Sequence, residues 1–228
     1  MKQKILIINR DWPEELRPVQ AATLVTYQII SEFSKRPNLD VGFLKISLSH
    51  ETSEMDEIQL QAKKALESLG VTYLDPICLP QILGLRPKLL RLLRPVPRDF
   101  YPYVVHRESA YAAAEAFKPT SIITPWCEFS THLFSEFPVK KFTYYGNADP
   151  LVARIWSDYI NGDRRRTLKN IAYKVTMKNF EKIHLKEINK WNFIGLVSLN
   201  MAQYYKNKLG EKAFYVNNLW TRKYGNRW

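Results

Sequence analysis

Residues 193–220 constrain the fold most, because they contain a complete strand–helix–strand unit. In chain order, its predicted parts are a strand buried on both faces at 193–199, a helix at 200–209 and a second strand at 213–216. Ser198 or Asn200 can cap the start of the helix, and Gly210 can take the left-handed position after its end. A connection of this length joins parallel strands by a right-handed crossover, so the unit predicts part of a parallel sheet.

The same alternation runs through the rest of the chain. Further strands are predicted at 4–8, 41–47, 71–74, 121–124 and 141–145, and further helices at 20–35, 51–69, 104–117, 130–137 and 163–190. This alternation predicts an α/β fold with a Rossmann-like, doubly wound and mostly parallel sheet. Open sheets of this kind bind ligands at the carboxyl ends of their strands, so the loops that follow the strands are the candidate site walls.

Composition narrows the classes of partner. The chain has 34 basic and 22 acidic residues, and its net charge of +12 favours anionic partners. The cysteines are Cys78 and Cys127, and the histidines are His50, His106, His132 and His184. They are scattered without metal-ligand spacing, so we expect reduced thiols and no metal site. No apolar run reaches the length of a signal peptide or a membrane span, so we expect a cytoplasmic protein whose membrane contact, if any, is peripheral at the inner face.

Two basic segments each allow two interpretations. The segment from Arg86 to Arg98 mixes basic residues with leucines, and is either a capping helix or an element that approaches an anionic membrane or an acceptor. The predicted helix at 163–190 has a lysine at every fourth position from Lys174 to Lys190. These lysines form either a solvated face or a docking ridge for anionic lipid or nucleic acid. The side chains of this helix that we expect to form an apolar stripe are Leu168, Ile171, Ala172 and Val175, continued loosely by Phe180, Ile183 and Ile188.

Candidate site residues follow two of the predicted strands. Trp126 can stack on a sugar ring or pack beneath its loop, and Glu128 can line a cleft or serve as an acid at a helix start. Asp149 can bind acceptor hydroxyls or orient a base, or it can form an Asx turn before the next proline. Arg154, about one turn later, can pair with a phosphate or with Asp149.

Four segments carry a resemblance to a known family. They are KILIINRDWP followed by a helix, KFTYYGNADP at the end of a strand, a long helix that runs straight into FIGLVS, and YVNNLW. With this order of elements, the chain resembles the N-terminal half of a GT-B glycosyltransferase, most like glycosyltransferase family 4, over nearly its whole length. The resemblance implies an acceptor-side domain at 1–220, and the start of an interdomain linker or a tail at 221–228.

The resemblance also implies an activity for the full enzyme: transfer of a sugar from a nucleotide-sugar donor to a glycan or lipid-linked acceptor. The donor-binding domain is expected outside this chain or on a separate subunit, so the chain alone is not expected to be active or to hold a cofactor. The family's Gly-Gly pair is missing from the first loop here, where Arg17 and Gln20 can supply side-chain donors instead. The His of the family's His-Asp turn is Asn147 in this chain. The catalytic candidate is Asp149, and the substrate-binding candidates are Arg17, Gln20, Trp126, Glu128, Asn147 and Arg154.

A second function class stays open, a non-catalytic basic module that binds nucleic acid or a protein partner. The net charge of +12 and the 13% of aromatic residues permit it, if the basic residues form one contiguous face. Nucleic acid is the less favoured partner. The sequence contains no dinucleotide-binding glycine fingerprint, no P-loop and no nucleophile elbow.

Overall fold

The computed structural model describes residues 2–14, 21–48, 56–79, 106–145 and 168–217. The strands in these ranges are β1 Gln3–Asn9, β2 Leu39–Leu48, β3 Thr72–Tyr73, β4 Ile77–Leu79, β5 Ser121–Pro125, β6 Lys140–Tyr145, β7 Phe193–Leu196 and β8 Ala213–Tyr215. The helices are α1 Ala21–Ser34, α2 Asp56–Ser68, α3 Arg107–Phe117, α4 Glu128–Leu133, α5 Leu168–Ile188 and α6 Leu199–Leu209. The predicted alternation of strands and helices is confirmed.

All the described strands belong to one parallel sheet. Its order is β3-β2-β1-β5-β6-β7-β8, and β4 pairs with β2 beyond the end of β3. The chain therefore builds outward from β1 in one direction, and then from β5 in the other direction. This reversal of strand order between β1 and β5 is the topological switch point of a Rossmann-like fold.

Two buried clusters cover the two faces of the sheet. Successive side chains of a strand point to opposite faces, so Ile5 and Ile7 enter one cluster while Leu6 and Ile8 enter the other. The first cluster includes side chains of α1 and α2, and the second includes side chains of α3, α4, α5 and α6. Helices on both faces confirm the predicted doubly wound α/β architecture.

The unit at the C-terminal end forms as predicted, with small differences. β7 and β8 are parallel neighbours, and the Ser198 hydroxyl accepts the Met201 N–H at 3.5 Å to cap α6. Gly210 has a positive φ of 77°, but its ψ of −158° lies outside the left-handed helical region. Phe193 was expected to be buried within the strand and is instead exposed, because it lies at the amino end of a strand of only 4 residues.

The apolar stripe predicted on the long helix is wrong in its first part and confirmed in part of its continuation. Ile171, Ala172 and Val175 are exposed, whereas Phe180 and Ile188 are buried and Ile183 is partly buried. Ile171 and Val175 lie on the side of α5 that carries Lys178 and Lys182, opposite the buried side chains of Phe180 and His184. The exposed side chains therefore face away from the sheet.

Two shorter elements also differ from their predictions. β4 was not predicted, because its three residues lie between prolines and look like a loop in the sequence. α4 begins at Glu128, two residues earlier than predicted, and ends in a turn after Leu133.

Candidate functional site

The carboxyl edge of the sheet at the β1–β5 switch point is the candidate site. At this point the connection after β1 leaves toward one face of the sheet and the connection after β5 leaves toward the other. In open sheets of this kind, such a divergence places a crevice between the two loops. The described residues that flank the crevice expected here are 9–12 after β1 and 126–128 after β5.

Asn9 holds the two loops together at this edge. Its buried side-chain amide donates to the Thr26 hydroxyl at 2.7 Å and to the Pro125 carbonyl at 3.0 Å. Its side-chain oxygen accepts the backbone N–H groups of Arg10 at 2.7 Å and of Asp11 at 3.4 Å. One side chain therefore joins β1 to α1 and to the end of β5, and it orients the first loop.

The loop after β1 brings charged and aromatic side chains to the same edge. Trp12 is buried and stacks on Tyr73 with ring centroids 5.9 Å apart, and the Lys45 ammonium lies 5.1 Å from the Trp12 ring. Burial lowers the pKa of the Lys45 ammonium, an effect that the nearby Asp11 carboxylate opposes. Within the described part of the chain, the buried Trp12 indole N–H has no hydrogen-bond acceptor.

Sequence reasoning missed this cluster, although a signal for it was present. Asn9, Asp11 and Trp12 were treated as a loop, yet they follow a buried strand directly, where a parallel sheet places ligands. Lys45 had no such signal. A lysine within an apolar strand is expected to be exposed, and only the fold shows that the Trp12 ring lies beside Lys45.

Trp126 has an unusual backbone conformation at the end of β5. Its φ of 50° is positive, which is rare for a bulky residue that is not glycine. Its N–H donates to the Tyr144 carbonyl at 2.6 Å, and its ring stacks on Tyr144 with centroids 6.4 Å apart. The residue is half-buried, and it packs against the cluster that includes α1 and α2 as well as against Tyr144. Strained backbone of this kind is concentrated at functional sites.

Glu128 begins α4 and is buried, so the prediction of an acid at a helix start is confirmed in position. A carboxylate is favoured there by the partial positive charge of the helix N-terminus. Burial and the Glu128 charge together raise the pKa of Tyr145 well above its ordinary value. Burial also raises the pKa of the Cys127 thiol to about 11, which leaves it protonated and poorly nucleophilic at neutral pH.

The described residues of the crevice suit non-covalent binding. They provide two carboxylates at Asp11 and at the buried Glu128, a cation at Arg10, and a half-buried indole at Trp126. Carboxylates accept hydrogen bonds from hydroxyl groups, and an aromatic face covers an apolar face of a ring.

The other predicted site residues lie outside the described part of the chain and stay predictions. They are Arg17, Gln20, Asn147, Asp149 and Arg154. The basic segment from Arg86 to Arg98 and the residues from 218 to the C-terminus also lie outside it.

Two of the four histidines, which are scattered in the sequence, meet in the fold. His132 on α4 and His184 on α5 are buried in contact, with His132 Nε2 and His184 Nδ1 2.8 Å apart. Burial lowers the pKa of His132 to about 3, and burial also lowers the pKa of His184 well below its ordinary value. Across the described ranges, no group of three or more His, Cys, Asp or Glu side chains is arranged to hold a metal ion, and Cys78 and Cys127 are both free thiols.

Within the described residues, none of the helices is both long enough and apolar enough to cross a membrane.

Comparison with known proteins gives structural likeness only. No protein-family model matches the chain, and no curated protein matches it. Solved structures that it resembles include Glycyrrhiza uralensis UGT73P12 complexed with glycyrrhetinic acid 3-O-monoglucuronide, at 11% identity and a TM-score of 0.46 over 95% of this chain and 48% of that chain. They also include a UDP-glucosyltransferase from Polygonum tinctorium capable of glucosylating indoxyl, at 11% identity and a TM-score of 0.42 over 91% and 48% of the two chains.

The Candida albicans trehalose-6-phosphate phosphatase N-terminal domain is a third such structure, at 13% identity and a TM-score of 0.47 over 92% and 43% of the two chains. The chain spans about half the length of the UDP-glycosyltransferase structures that it resembles. Membership of glycosyltransferase family 4 stays a prediction.

Proposed function

We propose that this chain is the acceptor-binding half of a glycosyltransferase. The full enzyme would move a sugar from a nucleotide-sugar donor to a glycan or lipid-linked acceptor, with a donor-binding domain supplied from outside these residues. The proposal starts from the sequence resemblance to the N-terminal half of a GT-B glycosyltransferase. It does not require this chain alone to be active.

The observation that carries the proposal is the strained Trp126 at the switch point of a parallel sheet. Its half-buried indole lies one residue after β5, and the Glu128 carboxylate begins α4 two residues later. Aromatic faces and carboxylates together are the groups that bind sugar rings and their hydroxyls. In the proposed site, Trp126 covers the acceptor ring, and Glu128 and Asn147 accept or donate hydrogen bonds to its hydroxyls.

Asp149 is the proposed catalytic residue. As an acceptor oxygen bonds to the anomeric carbon of the donor sugar, its proton leaves and the nucleoside diphosphate departs. A carboxylate is suited to orient that hydroxyl or to take its proton, and Asp149 follows β6 by four residues in the sequence. Arg17 and Gln20 are proposed phosphate contacts, because their side-chain donors stand in for the family's glycine pair, and the Arg154 guanidinium is a third proposed phosphate contact.

Carbohydrate binding tests the proposal directly. The 228-residue chain is applied to an array of free and lipid-linked oligosaccharides, and the dissociation constant of each bound glycan is then measured by calorimetry. We expect Trp126→Ala to weaken binding about tenfold, since stacking of this kind contributes about 1 kcal/mol or more. Phe193→Ala removes an exposed aromatic ring at the opposite, amino edge of the sheet and is the matched control.

Two results would contradict the proposal. One is that no carbohydrate binds. The other is that Trp126→Ala and Phe193→Ala bind as well as the unchanged chain. Binding of single-stranded oligonucleotides in place of glycans, with a steep dependence on salt, would favour the alternative of a basic nucleic-acid module.

A further inference from the structure

One face of α5 combines lysines with exposed aliphatic side chains. We call it the basic face of α5, and it consists of Ile171, Lys174, Val175, Lys178, Lys182 and Lys186. These positions differ by three or four residues, so they share one side of the helix. All six side chains are exposed, including 49% of Ile171 and 47% of Val175.

The opposite face of α5 fixes which way the basic face points. Met177, Phe180, His184 and Ile188 are buried, and Ile188 belongs to the core beneath the sheet. The helix therefore cannot rotate its lysines inward without withdrawing this buried row. The basic face is a fixed outer surface of the protein.

The described acids of α5 are engaged away from this surface. Glu181 is buried and accepts a hydrogen bond from the Tyr204 hydroxyl on α6. Glu187 accepts from Lys190 at 2.8 Å and from Arg107 at 3.3 Å. Lysines four residues apart repel one another by a few tenths of a kcal/mol each, and an anionic surface would relieve that repulsion.

The aliphatic end of the basic face lies toward the candidate site. α5 ends just before β7, and β7 is parallel to β6, so the helix runs from the carboxyl edge of the sheet back to the amino edge. Ile171 and Val175 lie in its first turns, at the end of the helix that starts from the carboxyl edge. The same end of the molecule therefore presents both the crevice and the apolar part of the basic face.

We propose that the basic face of α5 docks on the surface of an anionic phospholipid bilayer. Lysines attract anionic headgroups, and a helix lying in the interface inserts its aliphatic side chains beside them. Single-stranded nucleic acid is bound instead with aromatic stacking platforms, and the described basic face has aliphatic side chains in that place. The docking does not depend on sugar transfer, and it would hold the crevice next to the membrane.

Vesicle binding by the 228-residue chain tests the proposal. The chain is sedimented with vesicles of phosphatidylcholine alone and of phosphatidylcholine with about one-third phosphatidylglycerol, in low and in high salt. We expect binding to the anionic vesicles only, and weaker binding in high salt. The double variant Lys178→Gln/Lys182→Gln should weaken that binding roughly thirtyfold, at about fivefold for each lysine.

The matched control removes the same charge from other surfaces. Lys64 on α2 and Lys208 on α6 are exposed, and Lys64→Gln/Lys208→Gln should leave vesicle binding within about twofold of the unchanged chain. The variant Ile171→Ser/Val175→Ser keeps every charge and should lose most of the binding that survives in high salt. Circular dichroism of each variant confirms that the fold is retained.

Several results would overturn the docking proposal. They are the absence of binding to anionic vesicles, equal binding to neutral vesicles, and equal losses in the two lysine double variants. Oligonucleotide binding that depends on Lys178 and Lys182, without vesicle binding, would make nucleic acid the partner of this face. None of these results bears on glycan binding at Trp126, so the two proposals fail separately.

Discussion

At the scale of the residue, Asn9 decides the geometry of the site edge. Its four hydrogen bonds connect β1, α1, the end of β5 and the loop that carries Asp11. A buried amide that satisfies both donors and acceptors is difficult to replace, because each orphaned partner loses its hydrogen bond without regaining water. The conformation of the loop after β1 therefore depends mainly on the Asn9 side chain.

Asn9→Ala is expected to destabilise the protein by about 2–3 kcal/mol, because it leaves the Pro125 carbonyl and two backbone N–H groups without that partner. Asn9→Asp should be at least as damaging, since a carboxylate has no N–H group to donate to the Pro125 carbonyl. Urea unfolding followed by circular dichroism measures both losses.

The control for this prediction is Lys64→Ala on the exposed side of α2, which should change the free energy of unfolding by less than about 0.5 kcal/mol. If Asn9→Ala proves as mild as this control, the hydrogen bonds of Asn9 do not hold the two loops together.

At the scale of the element, contacts between helices and strands depend on a few close approaches. On β2, Gly42 lies against the ring of Phe117 at the end of α3, and a Cβ at this glycine would be 2.9 Å from Phe117 Cζ. This position requires a glycine because the Phe117 ring leaves no room for a Cβ, and not because of its backbone conformation. The packing of α3 on the sheet therefore couples two residues that are far apart in the chain.

Gly42→Ala should destabilise the protein by about 1–3 kcal/mol through overpacking. Phe117→Leu removes the clashing ring, so the double variant should be less destabilised than the sum of the two single variants. Thermal unfolding of the four proteins gives the coupling energy directly. A strictly additive cycle would show that the ring moves aside without cost.

The contact between α4 and α5 includes the neutral pair of His132 and His184. Their folded-state pKa values are lowered by burial, with Arg107 and Lys190 adding to the effect at His132, and His184 is surrounded by the rings of Phe180, Tyr145 and Tyr205. The unfolded chain therefore binds protons below about pH 6.5 that the folded chain does not. Stability is complete above that pH and falls as the pH drops toward the folded-state value of about 3 for His132.

The slope of that loss can be measured. Each histidine should remove up to about 1.4 kcal/mol of stability per pH unit below pH 6.5. His184→Asn removes one of the two titrating rings and should reduce the slope by about that amount, as seen in urea unfolding at a series of pH values. His106→Asn, at a half-exposed position before α3, is the control. An unchanged slope in His184→Asn would mean that the pair does not set the acid sensitivity.

At the scale of the whole molecule, an ion network ties together parts of the chain that the sequence separates widely. Arg107 of α3 pairs with Glu136 at 2.6 Å and with Glu187 of α5 at 3.3 Å. Lys190 pairs with both carboxylates at 2.8 Å, and the Ser135 hydroxyl donates to Glu187. The Glu187 and Arg107 side chains are mostly buried, whereas half of Glu136 is exposed.

Removing the two acids should therefore have unequal effects. Glu187→Gln leaves Arg107 without its buried partner and should cost about 2–3 kcal/mol, while Glu136→Gln should cost less than about 1 kcal/mol because water screens that pair. Urea unfolding at neutral pH distinguishes the two. Equal losses would show that burial does not set the strength of this network.

The network also has a pH signature. Burial alone would raise the pKa of Glu187, but hydrogen bonds from Lys190 and Ser135 hold it below the ordinary 4.5. A carboxyl group with a lowered folded-state pKa stabilises the protein above its unfolded value and loses that contribution as the pH falls below it. Glu187→Gln should therefore be less sensitive to acid below pH 4.5 than the unchanged chain.

The sequence by itself determined the class of fold and most of its elements. Short apolar runs that alternate with longer amphipathic segments predict a parallel sheet with helices on both faces. Ser198 marks the start of a helix, and Gly210 marks its end. Trp126 and Glu128 could be picked out because they follow a predicted strand, and the parallel arrangement alone assigns such residues to the ligand edge.

Only the tertiary structure decided which side chains meet. His132 and His184 are 52 residues apart and become neighbours because α4 and α5 cover the same face of the sheet. The sequence predicts an exposed Lys45, but in the fold the Trp12 ring lies beside it, and Ile171 and Val175 are apolar but lie on the outer side of α5 with the lysines. Local patterns report the period of an element, whereas the contacts of each face depend on distances across the sheet that no window of sequence contains.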